Sequence, residues 1–387
     1  MDKLKAVPPL SLYIHFPWCI QKCPYCDFNS HEIKTRIPEA VYIEALLKDL
    51  ENDLPLVWGR KINTIFMGGG TPSLFSPDAM DKLLSGIRAR IPISPNAEIT
   101  IEANPGTVEN EHIAGFKATG INRISFGVQS FNDDMLKTLG RIHSADAARQ
   151  AIAKAKQAGF ERINIDLMFA LPMQHIEQAK FDLESAIALA PTHISYYQLT
   201  IEPNTAYYHS PPALPDDDTS WQMFEQGKKI LNKAGFNQYE VSAYAKKKDQ
   251  CRHNTNYWLF GDYLGIGAGA HAKITDGARQ TITRYWKHKH PKEYLSSTAT
   301  SAISGQQKLS DKELLFEFLM NGLRLNNGFN AQVFCQRTGL QMAIIEKKLS
   351  PFISEGLIDW HQESNIIQAT EKGKLFLNDI LSRCLPE

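Results

Sequence analysis

Along the first half of the chain, short apolar runs alternate with longer stretches whose apolar residues recur every three or four positions. The runs cover residues 11–16, 62–67, 97–102, 121–128, 161–168 and 192–199, and their branched and aromatic content suits β-strands. Between them, residues 39–54 place Val41, Ala45, Leu46 and Leu50 near one face of a helix. Residues 77–91 open with Pro77 behind Ser76, and residues 144–158 open on Ser144 and close on Gly159, as helix ends do. Six such units predict an α/β fold with a parallel sheet and right-handed crossovers, curved into a partial (β/α)6 barrel. Ligands then gather at the carboxyl ends of the strands.

The alternation stops near Pro203. Residues 203–218 hold four prolines and three successive aspartates, a connection, and a helix over 219–234 ends at Gly235. We expect three parts: a core domain over 1–235, a connecting segment over 236–305, and a carboxy-terminal domain over 306–387. The connecting segment is mixed, with Gly265-Ile-Gly267-Ala-Gly269 expected as a tight turn. The last part starts with an apolar stripe of Leu314, Leu315, Phe318 and Leu319. It continues with helices over 330–338 and 341–354, strands over 357–361 and 365–369, and one final helix. That order is winged-helix-like.

Composition narrows the function. The 387 residues are 43% hydrophobic and 22% charged with zero formal net charge, an ordinary globular composition. Neutrality gives no bulk attraction to nucleic acid or an anionic membrane. Residues 306–387 hold nine Lys and Arg against ten Asp and Glu, so the winged-helix-like part carries no basic footprint. No run approaches the ~18 apolar residues of a membrane span, and residues 1–18 do not read as a secretory signal. Three of the six cysteines crowd into positions 19–26, while Cys251, Cys335 and Cys384 are scattered. That spacing favours metal-bound thiolates in a reducing cytoplasm over a disulfide framework.

Cys19, Cys23 and Cys26 form a C-x3-C-x2-C loop. Buried structural cysteines are common, but three within eight positions, beside Lys22 and shaped by Pro24 and Tyr25, are hard to obtain from packing alone. A closed electron-transfer cluster takes four thiolates, so three leave one iron open to a ligand. The loop resembles the signature of radical S-adenosylmethionine (SAM) enzymes, whose [4Fe-4S] cluster binds the methionine amino and carboxylate groups of SAM at that iron.

Gly68-Gly69-Gly70-Thr71-Pro72 follows the second strand and resembles the element of that superfamily that binds the methionine part of SAM. Glycine here also lets backbone approach closely. Glu102, Gln129, Arg141 and Asp166 fall at later strand ends. An arginine suits the SAM carboxylate, Glu102 its ammonium, and Gln129 or Asp166 its ribose hydroxyls. Their contexts (Ile-Glu102-Ala-Asn-Pro, Phe-Gly-Val-Gln129, Gly-Arg141, Asn-Ile-Asp166), with Tyr13 in Tyr-Ile-His-Phe-Pro as a SAM contact, are similar to the oxygen-independent coproporphyrinogen III oxidase family over most of the chain.

One departure decides the expected activity. The decarboxylases of that family carry a fourth cysteine where this chain has Phe28; Phe there resembles the family's heme-chaperone branch. Cys251-Arg-His253-Asn-Thr-Asn-Tyr257-Trp258 matches the His-Asn-x-x-Tyr-Trp motif associated with heme in that branch. His253 then offers an imidazole ligand, with Cys251 as an alternative thiolate, and Tyr257 and Trp258 offer flat apolar surface. The resemblance implies a chaperone that binds cluster, SAM and heme and passes heme to apo-proteins of the respiratory chain. It further implies an electron donor for the cluster, transient contact with membrane proteins, a homodimer, and no turnover of its own. Radical decarboxylation of coproporphyrinogen III and nucleic-acid modification are the competing readings.

Overall fold

The computed structural model describes residue 4 and residues 6–34 and 36–386. All six expected strands form: β1 (Leu10–Phe16), β2 (Ile62–Gly69), β3 (Ile93–Ala103), β4 (Arg123–Gln129), β5 (Arg162–Phe169) and β6 (His193–Gln198). They pair in parallel, each with the next. Alternation along each strand sorts the side chains. Leu10, Leu12, Ile14 and Phe16 are at most 1% exposed and pack outward into the main core. Ser11, Tyr13 and His15 take the opposite face.

The helices cover the outer face: α1 (Glu39–Asp53), α2 (Pro77–Arg88), α3 (Thr107–Ala118), α4 (Ala145–Gln157), α5 (Ile176–Ala188) and α6 (Asp217–Lys233). The expected start signals work as caps. Ser76 accepts from the Ala79 N–H and Ser144 from the Ala147 N–H, each satisfying an orphan donor. Gly159 and Gly235 take positive φ just past α4 and α6, where a side chain would be strained.

Residues 236–305 are built into the same sheet. They supply β7 (Asn237–Glu240), β8 (Ala243–Ala245), α7 (Arg252–Trp258), β9 (Asp262–Ile266), β10 (His271–Asp276), β11 (Thr281–Lys287) and β12 (Ile303–Lys308). The twelve strands run β12-β11-β10-β9-β1-β2-β3-β4-β5-β6-β8-β7. β8 pairs antiparallel with β6 at one edge of the partial barrel, and β9 pairs parallel with β1 at the other. The chain must cross between these edges, and α7 is the crossing. The expected glycine turn is a turn only in part. Gly265 lies inside β9 opposite Tyr13, and the reversal is left to Gly267 and Gly269, both at positive φ.

The carboxy-terminal part is built on a second apolar core, which Leu4, Phe260 and Ile282 join from the rest of the chain. It contains α8 (Asp311–Gly322), α9 (Ala331–Thr338), α10 (Met342–Ser354) and three antiparallel strands, β13 (Phe329–Asn330), β14 (Ile358–His361) and β15 (Ile366–Ala369). A capping box between Ser310 and Glu313 fixes the start of α8. The expected final helix is two short helices, Glu371–Leu375 and Leu377–Ser382, broken at Phe376. No helix among the described residues is long and apolar enough to cross a membrane.

Candidate functional site

The cysteine loop leaves β1 and is held in place before any ligand is considered. Trp18–Cys19 pairs with His31–Glu32, and the Cys26 N–H closes a turn on the Cys23 carbonyl at 3.1 Å. Lys22 Nζ donates to the Phe28 carbonyl at 3.1 Å, and the Tyr207 N–H to the Pro24 carbonyl at 2.9 Å. All three thiols are half-buried. Burial pushes the Cys19 and Cys26 thiols above the ordinary value, so metal has to displace their protons. No three His, Cys, Asp or Glu among the described residues are placed to hold a single ion. A cubane asks for something else, one thiolate at each of three irons.

Two of the sulfurs are joined by a chain of polar side chains. Thr71 Oγ1 donates to Cys19 Sγ at 3.7 Å, and Asn104 Nδ2 donates to Thr71 Oγ1 at 2.8 Å. Arg141 Nη2 donates to Asn104 Oδ1 at 2.6 Å, and Arg141 Nη1 to Cys23 Sγ at 3.5 Å. The chain thus runs from one thiol to another across the strand ends, and it aims donors at sulfurs that become anionic with metal. Arg141 keeps one buried donor, Nε, without a partner among the described residues. Asn104 escaped the sequence reading. Its signal was present, since it sits two residues beyond Glu102 at the same strand end.

The glycines serve packing within the chain. The Gly70 and Thr71 N–H groups donate to the Phe16 and Trp18 carbonyls, both at 2.7 Å. A Cβ on Gly70 would lie 2.5 Å from the Trp18 oxygen. Gly69 has φ +112°, and a Cβ there would lie 2.5 Å from the His15 ring. This tight crossing clamps the end of β2 to the start of the cysteine loop.

The other expected residues gather on the inner face. The Tyr13 hydroxyl lies 3.0 Å from His15 Nδ1, whose Nε2 meets the Asn29 carbonyl at 2.8 Å. Glu102 accepts from the Gly69 N–H at 3.2 Å. Burial, with the Asp166 carboxylate adding to it, pushes the Glu102 carboxyl up to about 8. Such a carboxyl gains by pairing with a cation. Asp166 accepts from Asn164 at 2.7 Å and Ser125 at 3.2 Å, and burial raises its pKa too. Gln129 sits at φ +73°, unusual for a side chain of its size, and its Oε1 accepts from the Tyr197 hydroxyl at 2.8 Å. Donors at two sulfurs, a buried carboxyl with no ion pair among the described residues and an arginine with a spare N–H fit an anionic cluster and a zwitterionic ligand. Phe28 lies just outside, 58% exposed.

His253, Tyr257 and Trp258 are elsewhere. The crossing helix α7 closes the opposite end of the barrel, against the first halves of β1, β2 and β3. Glu98 Oε1 accepts from the His253 N–H at 3.0 Å, and Glu98 Oε2 from the Arg252 N–H at 3.2 Å and from Arg162 at 2.7 Å. Burial alone would raise this carboxyl, but Arg123, Arg162 and the N–H groups outweigh it and hold its pKa below the usual range. His253 is 1% exposed, with Nδ1 2.9 Å from Thr64 Oγ1 and its ring against Phe66 and Tyr257. Burial pulls its pKa down to about 3, so the imidazole is neutral. Nε2 has no partner among the described residues but is buried. Arg324 lies over the Trp258 ring at 4.4 Å. Cys251 is fully buried, its thiol 3.6 Å from Glu98. A porphyrin face cannot reach His253 Nε2 or Cys251 Sγ here, so the residues of this motif do not fit as axial ligands in this conformation.

Comparison with known proteins agrees with the architecture. A model of the radical SAM superfamily matches residues 13–185, and one of the HemN C-terminal domain matches residues 309–376. The heme chaperone HemW of Escherichia coli (strain K12) is 49% identical over 383 residues, covering 98% of this chain and 99% of that protein. The HemW of Haemophilus influenzae is 51% identical, covering 99% and 100%. That of Bacillus subtilis is 33% identical, covering 97% and 99%. Among solved structures, the E. coli coproporphyrinogen III oxidase HemN, described as a radical SAM enzyme, aligns over 98% of this chain and 90% of its own with a TM-score of 0.82. At 24% identity, that likeness speaks for the fold alone.

Proposed function

The chain belongs to the heme chaperone HemW family within the radical SAM superfamily, and on that premise we propose that it carries heme to apo-proteins while holding a [4Fe-4S] cluster and SAM. The observation that carries the first half of this reading is the polar chain Cys19–Thr71–Asn104–Arg141–Cys23 at the strand ends. Cys19, Cys23 and Cys26 hold the cluster. Arg141 Nε takes the SAM carboxylate, Glu102 its ammonium, and Asp166 and Gln129 its ribose hydroxyls. Tyr13, Gly69, Gly70 and Thr71 shape the wall beside the methionine part. A bound cluster supplies one-electron reduction, for which an electron donor is needed. The acceptors are respiratory apo-enzymes reached from the cytoplasm, through transient contact with membrane proteins, and the carrier works as a homodimer.

Anaerobic reconstitution followed by electron paramagnetic resonance (EPR), with and without SAM, checks the cluster. Hemin titration and heme transfer to an apo-cytochrome check the cargo. We expect a cluster signal that shifts with SAM, a heme Soret band, and transfer to the acceptor. Formation of protoporphyrinogen from coproporphyrinogen III under reducing conditions would favour decarboxylation and sink the carrier reading.

A further inference from the structure

Helix α7 lies between two covers. The floor of the barrel takes the His253 side, and the carboxy-terminal part takes the end that carries Trp258. Arg324, just past α8, stacks its guanidinium over the Trp258 ring at 4.4 Å and donates from Nη2 to Glu240 Oε2 at 2.8 Å. Phe318 of α8 meets Phe260 edge-on, with ring centroids 5.8 Å apart. Arg284 of β11 donates to the Tyr263 hydroxyl at 2.8 Å and to Glu317 of α8, also at 2.8 Å. The Tyr263 ring in turn lies 4.3 Å from that of Tyr257. These contacts have to part before α7 can leave the barrel floor.

Around them the seam is thinly packed. A cavity of about 940 Å³ opens on one flank, between Pro8 and Pro9 on one side and Gln332 and Gln336 of α9 on the other. One of about 970 Å³ opens between Trp221 and Phe224 of α6 and Arg324. A well-packed interior leaves few voids larger than a water molecule. The chain crosses the seam once, at residues 308–310 between β12 and α8. Arg324 Nε and Trp258 Nε1 are buried at this contact without hydrogen-bond partners among the described residues, as is His253 Nε2. Each such group forgoes bonds that water would supply, so closure carries a standing cost.

We infer that the carboxy-terminal part is a lid over the motif helix, latched by Arg324, and that this structure shows it shut. This rests on the heme-carrier reading above, with His253 as the iron ligand: an imidazole whose Nε2 is buried binds no iron until its cover lifts. Opening about residues 308–310 exposes Trp258 and gives α7 room to turn His253 outward. Heme then binds only the open form, and its apparent affinity is that form's affinity scaled by the fraction of molecules that are open. The sign of the effect follows. Weakening the latch strengthens heme binding, the reverse of what losing a heme contact does.

The test is stopped-flow and equilibrium hemin titration of the full-length, cluster-reconstituted chain, joined to amide hydrogen exchange of the heme-free chain. Arg324→Gln removes the cation that stacks on Trp258 and pairs with Glu240. It is expected to speed hemin uptake and tighten apparent binding about tenfold, with dissociation unchanged. Glu317→Gln, at a partly exposed site on α8, frees Arg284 and is expected to act in the same direction. Exchange at residues 252–258 should quicken in both variants while exchange in β2 stays as in wild type, which a general loss of stability would not allow. Hemin affinity that is unchanged or weakened in Arg324→Gln overturns the lid, as does unchanged exchange at α7. If Arg324→Gln does not fold, the same outcomes are read from Glu317→Gln. A wild-type chain that takes up no hemin overturns the carrier reading instead, and exchange at 252–258 still decides whether the latch holds α7.

Discussion

The Glu98 carboxylate accepts the backbone N–H of His253 at 3.0 Å, deep inside the barrel and far along the chain from it. A negative charge thus sits at the first turn of α7, where the helix dipole favours it. The same carboxylate balances Arg162 at 2.7 Å. Glu98→Gln keeps the shape and removes the charge that faces the buried Arg123 guanidinium, and it leaves Arg162 only Asp249 at 3.8 Å. A loss of about 3–5 kcal/mol is expected, from the cost of breaking buried pairs, measurable by chemical denaturation. A change below about 1 kcal/mol would show that the pair does not hold α7 in place.

His253→Ala removes a ring packed on Phe66 and Tyr257 and a hydrogen bond to Thr64. It is expected to cost about 2–4 kcal/mol of stability, since the cavity left is internal. A histidine serving only as a surface ligand would leave the melting temperature unchanged, so calorimetry of the heme-free protein separates the two roles.

Asp182 on α5 accepts from Ser130 Oγ at 2.8 Å and the Phe131 N–H at 2.6 Å, and burial pushes its pKa up to about 7. An unfolded aspartate titrates near about 3.9. The folded form therefore holds its proton more tightly. The stability this contributes is full below about 4 and is lost as pH rises to about 7. Asp182→Asn is expected to flatten stability against pH across that window. If denaturation midpoints at pH 4.5 and 7.5 differ as much in the variant as in wild type, another group carries the slope.

Asn104→Ala cuts the polar chain between Thr71 and Arg141 while leaving all three cysteines. Cluster iron and sulfide should stay near wild type, and SAM should bind about tenfold more weakly, as expected from losing charge-assisted positioning. Titrating SAM against the EPR signal of the reduced cluster gives the number. Unchanged affinity would remove Asn104 from the site.

Gly70→Ala places a methyl 2.5 Å from the Trp18 carbonyl, and backbone cannot step aside as a side chain tip can. A destabilisation of about 1–3 kcal/mol is expected, the range for overpacking, along with reduced cluster content. Normal cluster content after reconstitution would mean that the clamp between β2 and the cysteine loop is dispensable.

The strands were legible because branched and aromatic runs announce them, and the helix ends because Ser76, Ser144, Gly159 and Gly235 do local work that needs no tertiary context. The inner face was legible only in part. Tyr13, Glu102, Gln129 and Asp166 stood out as polar residues at strand ends. Asn104 and His15 needed the pairing register to bring Thr71 and Gly69 beside them. The location of His253 was not legible at all. It depends on which sheet edges β8 and β9 join, and nothing local in Arg252–Trp258 records that the segment must run beneath the barrel. Gly265 was misjudged for the same reason: glycine reads as a turn, whereas here the His271 carbonyl lies where its side chain would be.

Strand β1 touches both ends of the barrel. Ser11 receives hydrogen bonds from Thr64 and from Asn256 of α7, while His15, four residues further along, lies against Gly69 beside the cysteine loop. At about 3.3 Å per residue, the two ends are roughly 13 Å apart on one stiff rod. Freeing α7 means undoing the bonds at Ser11, and so loosening the strand that shapes the rim. By thermodynamic linkage the effect is reciprocal. If SAM tightens β1, it makes the helix beneath harder to release by the same factor by which that release weakens SAM. In such a molecule, loading at one end reports on occupancy at the other without any part travelling between them.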